Sequence, residues 1–442
     1  MFRRKTGTGY EAATGVGRRA VIASAVSASA LLLAGGRVAQ AHVRGGGDVT
    51  LRLPAPSGPY RIGTTALHLV DERRRDPWDS AVPVREVMVT VFYPARTVHG
   101  CPQAPQMTPA AAGEFARFDP VYLHRELPES GVDWSATMTH AYTGAPALPV
   151  RRPVLLYSPG GGDPRTFGTG LAEELAAHGY VVVTVDHPGE PGAVEFPGGR
   201  VRGYGLPGTP ADPRVFRTMM ATRLADLRFV LDELTALAGG RNPDASARPL
   251  PEDLGRAVDV RRVGVYGHSA GGAAAAEVLY EDRRFAAAVN MEGYLDYPPD
   301  APGEAGELLP VARHGVDRPL FLYGTDGFRD ARLERSWSAM VRHRPQCTPW
   351  RRIDRAAHWV FTDYAAMAPQ LQAARLMTAE ERNGFVGAIH PARSVPLVRG
   401  RVLSFFSRHL MEGGTVSGSG ARSHEQEIGT FRGAGVTGGT AA

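Results

Sequence analysis

The stretch Arg262–Glu281 reads RVGVYGHSAGGAAAAEVLYE and decides the fold. Its first part is a short apolar run typical of a buried strand, and its last part is rich in residues that favour a helix. Between the two lies GHSAG at 267–271, a G-x-S-x-G string. Between a strand and a helix, this string predicts a sharp elbow that exposes the serine hydroxyl at a helix N-terminus. We therefore predict that Ser269 is a nucleophile and that the Ala270 N–H donates to an oxyanion.

Apolar runs alternate with helical stretches on both sides of this elbow. Strands are expected at 84–95, 154–158, 180–186, 262–267, 285–291 and 319–324, and helices at 169–179, 221–237, 272–281 and 394–410. Continuous apolar strands between helices indicate a parallel sheet that is buried on both faces. The sequence thus predicts an α/β fold, with a mostly parallel, doubly wound sheet flanked by helices. The Pro- and Gly-rich segment 187–213 is expected to be a long loop near the site.

The two ends of the chain differ from its body. Residues 17–41 contain the pair Arg18 and Arg19, then an apolar run, then the small-x-small string AQA. This pattern predicts a twin-arginine export signal at 1–41 and a secreted protein. It disfavours a transmembrane anchor, because the apolar run is too short to span a bilayer. A single catalytic domain is expected at 42–412, and a flexible Gly/Ser-rich tail at 413–442.

Charge and cysteine content exclude several functions. The net charge is +5, but the first 41 residues hold six basic side chains and one acidic side chain, and the rest of the chain carries 44 of each sign. No basic surface for nucleic acid follows from these totals. Cys101 and Cys347 permit one disulfide in an oxidising compartment. Neither belongs to a CxxC pair, so we expect no zinc or redox site and no cofactor.

A serine nucleophile needs a base and an acid, in the chain order Ser, acid, His for this type of elbow. The downstream histidines are His314, His343, His358, His390, His409 and His424. We favour His358, because it follows what looks like the final strand and precedes a helix. For the acid, Glu292 and Asp326 each follow a strand, where an α/β sheet presents its site, and Asp296 is a weaker third candidate.

Two further parts of the site are predicted from local composition. The string PGGGD at 159–163 follows a strand, and its glycines allow backbone N–H groups to approach an oxyanion closely. An apolar rim near the long loop and beside the base would suit an acyl group or transient contact with a lipid surface. Its candidate substrate-binding residues are Phe196, Tyr204 and Trp359, with Phe216, Met219 and Met220.

Several strings together resemble the bacterial α/β-hydrolases related to platelet-activating factor acetylhydrolase of the plasma and type II kind. They are GPYRIGTTALHLVD (58–71), FYPA (92–95), SPGGGDPRT (158–166), VDHPGEPGAVEFPGGRV (185–201), RLADLRFVLDEL (223–234), GHSAGG (267–272) and AHWVFTDY (357–364). The resemblance covers about residues 53–410. It implies an α/β-hydrolase fold and metal-independent hydrolysis of short or oxidised acyl esters.

The resemblance also implies roles for individual residues. The family's acid lies in an N-L-D-G-like string, which NMEG at 290–293 matches, so Glu292 is favoured over Asp326. By position, Gly161 and Ala270 supply the two oxyanion N–H groups. Two residues depart from the family pattern, since Glu292 replaces an aspartate and Pro159 stands where many members carry a histidine.

These observations predict a secreted serine hydrolase that cleaves short-chain or lipid-like acyl esters through Ser269, His358 and a carboxylate. An acyltransferase, thioesterase, amidase or lactonase with the same triad remains an alternative, because pocket shape sets the acceptor and the leaving group. A binding protein without catalysis is a third hypothesis, and the presence of both the serine and the histidine weighs against it.

Overall fold

The computed structural model describes residues 48–301 and 303–411, so the predicted export signal and tail lie outside the described residues. Ten strands in the described part of the chain form one sheet, and two more form a separate hairpin. The strands are β1 (Ile62–Asp71), β2 (Arg85–Pro94), β3 (Gln103–Pro105), β4 (Met138–Thr143), β5 (Arg152–Ser158), β6 (Val181–Val185), β7 (Val194–Phe196), β8 (Arg200–Arg202), β9 (Val258–His268), β10 (Phe285–Met291), β11 (Leu320–Thr325) and β12 (Trp350–Ile353).

Helices connect the strands and continue to the end of the described chain. They are α1 (Pro109–Tyr122), α2 (Thr169–Ala177), α3 (Pro213–Ala238), α4 (Leu254–Ala257), α5 (Ala270–Glu281), α6 (Pro310–His314), α7 (Ala331–His343), α8 (Tyr364–Ala373), α9 (Ala379–Val386) and α10 (Pro391–Phe406). A short π-helical turn, Ser407–Met411, follows α10. No helix within the described residues has the length and apolar character to span a membrane.

The large sheet has the order β12-β11-β10-β9-β5-β6-β2-β1-β4-β3. Every pairing from β12 to β6 is parallel, whereas β2 pairs antiparallel with both β6 and β1. The prediction of a mostly parallel sheet is therefore confirmed. The central parallel strands β6, β10 and β11 are mostly apolar and buried, because helices cover both faces of the sheet there.

Helices pack on the two faces of the sheet in separate apolar clusters. One cluster joins the strands to α3, α5, α6 and α7, with the indole of Trp337 at its centre and fully buried. The other joins the opposite side chains of the same strands to α2 and α10. The two clusters make the doubly wound arrangement that the alternating pattern predicts.

The parallel strands end level with one another at one edge of the sheet. Ser158 of β5 is paired with Gly267 of β9, and His268 is paired with Met291 of β10. Thr325 of β11 is paired with Ile353 of β12. The loops that follow these strands are therefore brought together, as expected at the carboxyl edge of an α/β sheet.

Three predictions about local structure differ from the observed elements. Strand structure begins at β1 and not at Val84, because β1 mixes glycine, threonine and histidine with apolar residues and so lacks a continuous apolar run. The segment 187–213 is not an unbroken loop, since β7 and β8 form a hairpin within it. The helix predicted at 221–237 begins earlier, at Pro213, where Asp212 caps the first turn by accepting from Arg214 N.

The two cysteines are not joined to each other. Both Cys101 and Cys347 are free thiols with half-buried side chains. The possible disulfide is therefore absent from this structure.

A close backbone contact at the elbow generates a stability prediction. A Cβ on Gly271 would lie 2.0 Å from the Ser158 carbonyl oxygen and 2.4 Å from that of Pro159. Because both neighbours are backbone atoms, we expect Gly271→Ala to lower the free energy of unfolding by about 2 kcal/mol or more. Denaturant-induced unfolding of purified protein measures the change.

Gly400 provides the matched control. It is exposed on α10, and a Cβ there would have no neighbour within 4 Å. We expect Gly400→Ala to stabilise the protein by about 1 kcal/mol through helix propensity. Equal unfolding midpoints for the two variants would contradict the packing argument.

Candidate active site

Ser269 occupies the turn between β9 and α5 in a backbone conformation that is rare for a residue with a side chain. Its φ is 54° and its ψ is −122°. Its N–H donates to the Met291 carbonyl oxygen at 2.9 Å, which ties the elbow to the end of the neighbouring strand. The side chain is half-buried, and its Oγ has no hydrogen-bond partner among the described residues. This is the geometry of a nucleophile elbow, with the hydroxyl available to a ligand.

A buried carboxylate and an imidazole form a hydrogen bond beside this elbow. Glu292 Oε2 lies 2.9 Å from His358 Nδ1. The other oxygen of Glu292 accepts from the N–H and the hydroxyl of Thr325, at 2.5 and 2.7 Å. The Glu292 side chain is fully buried and that of His358 is 15% exposed. The carboxylate is therefore held by β11 while it orients the imidazole through Nδ1, which leaves Nε2 as the outer nitrogen.

The alternative acids are occupied elsewhere. Asp326 accepts from the N–H groups of Arg355 and Ala356 at 2.8 and 3.1 Å, so it orders the loop that leads to His358. Asp296 forms ion pairs with Arg332 and Arg335. Of the three candidate acids, Glu292 is the one that the structure brings to the His358 ring.

His268 links the candidate nucleophile to the candidate base. Its ring lies against the His358 ring with centroids 4.4 Å apart, and its Nε2 is 2.9 Å from the His358 carbonyl oxygen. Burial, and then the nearby His358, lower the pKa of His268 well below its usual range, so the neutral ring donates from Nε2. Ser269 and His358 make no direct hydrogen bond here, and in the free state of a hydrolase this bond is often long. The contacts of His268 and Met291 hold Ser269 next to the Glu292–His358 pair.

The predicted oxyanion donors lie side by side. A Cβ on Gly161 would be 3.8 Å from the Cβ of Ala270 and 3.7 Å from the Met219 Cε. Ala270 is the first residue of α5, so its N–H has no acceptor within the helix. Both N–H groups are without a partner among the described residues, and the dipole of α5 favours negative charge at this end.

The predicted substrate-binding residues lie in three different places. Trp359 packs edge-on against the rings of His358 and His268, with centroids 5.2 and 5.0 Å away. Phe196 is buried against Met88 and lines a cavity of about 310 Å³, whose walls include none of the three candidate catalytic residues. Tyr204 stacks on Phe118 and donates to the Gly208 carbonyl oxygen. Only Trp359 of the three shares a ring contact or hydrogen bond with the candidate catalytic residues within the described chain.

Sequence reasoning missed two residues that contact the site. Phe328 stacks on the His358 ring with centroids 4.1 Å apart, and its side chain is half-exposed. Thr325 supplies both hydrogen bonds to Glu292 Oε1, the carboxylate oxygen that does not bond to His358. Both residues belong to the string GTDGF at 324–328, which follows a strand and in which the aspartate alone has the chemistry of a candidate acid.

One buried group has the chemistry of a metal site. Ligand atoms of Asp119, His124 and Asp163 lie within 4.8 Å of one another. His124 Nδ1 is 3.1 Å from Asp119 Oδ1, and Nε2 is 3.3 Å from Asp163 Oδ1. Burial opposes the charged imidazole, but the hydrogen bond to Asp119 and the charges of Asp163 and Asp119 raise the pKa of His124. These residues have the ligand atoms for a divalent cation, and the raised pKa of His124 shows that the two carboxyl groups also favour an imidazolium between them.

Comparisons with known proteins agree with this fold. No protein-family model matches the sequence. A curated relative, the probable 1-alkyl-2-acetylglycerophosphocholine esterase of Arthroderma benhamiae, is 27% identical over an alignment of 379 residues, and the match covers 81% of this chain and 88% of the relative. The solved structure of a ferulic acid esterase from Streptomyces cinnamoneus has a TM-score of 0.62 and 34% identity, and the match covers 83% of this chain and 95% of that one.

The solved structure confirms the predicted α/β-hydrolase fold, and the curated relative confirms the resemblance to platelet-activating factor acetylhydrolases. Both relatives are named as esterases, which confirms the predicted enzyme class. The chain therefore belongs to the α/β-hydrolase esterase family that includes the Streptomyces cinnamoneus ferulic acid esterase, and it is a carboxylic-ester hydrolase similar to platelet-activating factor acetylhydrolase.

Proposed function

We propose that this enzyme hydrolyses short-chain or lipid-like acyl esters through a triad of Ser269, His358 and Glu292. The observation that carries the proposal is the 2.9 Å hydrogen bond between Glu292 and His358, beside a serine at a strained elbow. A buried carboxylate that orients an imidazole next to such a serine supports general-base activation of the hydroxyl. The name of the Arthroderma benhamiae relative supports an acetyl ester as one substrate.

The chemistry follows from the positions of these groups. Ser269 Oγ attacks the ester carbonyl carbon while His358 Nε2 takes the hydroxyl proton. The carbonyl oxygen becomes an oxyanion that accepts from the N–H groups of Gly161 and Ala270. Collapse breaks the bond to the leaving alcohol, which receives the proton from His358. Water then attacks the acyl-enzyme with the same base, which releases the acid and restores Ser269.

The ferulic acid esterase among the relatives supports a second acyl group. Phe328 and Trp359 place two half-exposed aromatic rings against His358. Aromatic surfaces of this kind pack well against a planar aromatic acyl group. Hydroxycinnamate esters are therefore the second candidate substrate class.

Two predictions from the sequence remain proposals of their own. We propose export through the twin-arginine signal at 1–41, supported by Arg18, Arg19 and the apolar run that follows them. We also propose transient contact with lipid surfaces, which an ester substrate with a long acyl chain would require.

Ser269 is tested by covalent labelling and by substrate range. We expect a fluorophosphonate probe to label the wild type but not Ser269→Ala, and the variant to lose about a million-fold in kcat. A panel of p-nitrophenyl esters from acetate to palmitate, with methyl ferulate and the matching anilides, gives the acyl preference. Labelling of Ser269→Ala, or turnover of anilides alone, would contradict the proposal.

The choice of acid is tested by two isosteric substitutions. We expect Glu292→Gln to lower kcat by about 10,000-fold, because His358 then loses the partner that fixes its tautomer. Asp326→Asn is the control, since Asp326 bonds the loop backbone and not the ring. We expect this control to stay within about tenfold of the wild type on p-nitrophenyl acetate. Equal losses in the two variants would refute the assignment of Glu292.

The Glu292–His358 pair also sets the pH range of activity. Burial raises the pKa of Glu292 to about 8, against the hydrogen bonds from Thr325, which lower it. Burial, and then the nearby His124, lower the pKa of His358. At neutral pH the pair therefore holds one proton more than an ionised Glu292 beside a neutral His358 ring would hold. Nε2 of His358 can accept a proton only after the pair has lost this extra proton.

We expect kcat/KM to rise with pH through an ionisation near the Glu292 pKa of about 8. In Glu292→Gln, the remaining activity should persist to lower pH, because a buried His358 without its carboxylate favours the neutral ring. Rate measurements from pH 5 to pH 10 on both proteins check this shift. If kcat/KM falls at the same low pH in the wild type and in Glu292→Gln, a group other than Glu292 controls that fall.

A further inference from the structure

Arg223 of α3 lies beneath the loop that carries Gly161, and its side chain is 1% exposed. Its Nη1 donates to the Pro159 carbonyl oxygen at 2.6 Å and to Ser158 Oγ at 3.1 Å. Its Nη2 donates to the Gly160 carbonyl oxygen at 3.0 Å. One planar guanidinium thus binds two successive peptide carbonyls of the predicted oxyanion loop.

These two bonds fix the direction of the N–H groups in the same peptides. The described chain has no cis peptide bond, and in a planar trans peptide the C=O and the following N–H point in opposite directions. Because the Gly160 carbonyl points to Arg223, the Gly161 N–H points away from Arg223. Gly161 is the residue whose Cβ position lies next to Ala270, at the start of α5.

The guanidinium is itself held in place. Glu190 accepts from Arg223 Nε at 2.9 Å and from Nη2 at 2.5 Å, and its side chain is fully buried. Ser158 Oγ, which Arg223 also contacts, lies 2.9 Å from His187 Nε2. The guanidinium of Arg223 therefore donates to a carboxylate on one side and to the loop carbonyls on the other, and it cannot rotate without losing these hydrogen bonds.

We propose that Arg223 is a positioning residue for ester hydrolysis, which aims the Gly161 N–H at the oxyanion. This inference rests on the proposed function, because it takes Ser269 as the nucleophile and Gly161 as a donor. This positioning acts mainly on the transition state, because the Gly161 N–H forms its strongest hydrogen bond where negative charge develops. A lysine cannot replace it, because one ammonium group lacks the planar fork that binds two carbonyls and a carboxylate together.

The test compares Arg223→Lys with Arg85→Lys. Arg85 is equally buried and ion-paired, with Asp226 and Asp76, but it donates to the Pro188 carbonyl oxygen and not to the oxyanion loop. On p-nitrophenyl acetate, we expect Arg223→Lys to lose about 100-fold in kcat with KM within about threefold. We expect Arg85→Lys to keep the wild-type kcat.

Inhibitor binding separates positioning from general destabilisation. A trifluoromethyl ketone forms an oxyanion with the nucleophile, whereas acetate as product does not. We expect Arg223→Lys to weaken binding of the ketone by about the same factor by which it lowers kcat, and to leave inhibition by acetate unchanged. A kcat of Arg223→Lys within threefold of the wild type, or equal kcat losses in both arginine variants, would overturn the proposal.

Glu190→Gln decides the question if Arg223→Lys does not fold. This variant keeps the guanidinium and loosens its anchor, so we expect a smaller loss of kcat with KM unchanged. A wild-type kcat in Glu190→Gln would then overturn the proposal. Failure of the proposed function gives a different result, because Ser269→Ala would then hydrolyse esters as well as the wild type does.

Discussion

The site depends on a serine held at positive φ where two elements meet without room for side chains. Ser269 has φ 54°, and the glycines around it make backbone-to-backbone contacts. A Cβ on Gly267 would lie 2.2 Å from the Gly271 backbone, and one on Gly293 would lie 2.3 Å from the Ser269 carbonyl oxygen. The turn is therefore strained and closely packed at once, and neighbouring segments hold it in that state. All the other candidate catalytic groups are arranged around this fixed point.

Much of this arrangement was predictable because its determinants are local in sequence. The apolar runs that became β5, β6, β9, β10 and β11 are continuous and lie between helices, so their burial follows from composition. GHSAG at 267–271 specifies its own turn through its glycines. Glu292 was also within reach, since NMEG follows a strand, although the residues alone left Asp326 as an equal candidate.

The remaining features depend on partners that are distant along the chain. The roles of Asp326 and Thr325 in the GTDGF string differ because of where the loop at 355–358 returns, and the local sequence does not contain that information. Arg223 contacts a loop more than 60 positions away, and in the sequence it is one charged residue on an amphipathic helix. Phe196 lies in a three-residue strand within a Pro- and Gly-rich segment, and the local sequence does not show that this strand lies away from the candidate catalytic residues.

The sheet divides into a part that carries the candidate catalytic groups and a part that does not. Strands β5, β9, β10 and β12 lead into the loops with Gly161, Ser269, Glu292 and His358, whereas the strands at the other end of the sheet, β1 to β4, lead into none of them. The cavity of about 310 Å³ is lined in part by β1 to β4, with threonines on several of these strands. Because β1 to β4 carry none of the candidate catalytic groups, the arrangement of those groups places few direct constraints on the side chains of this end of the sheet.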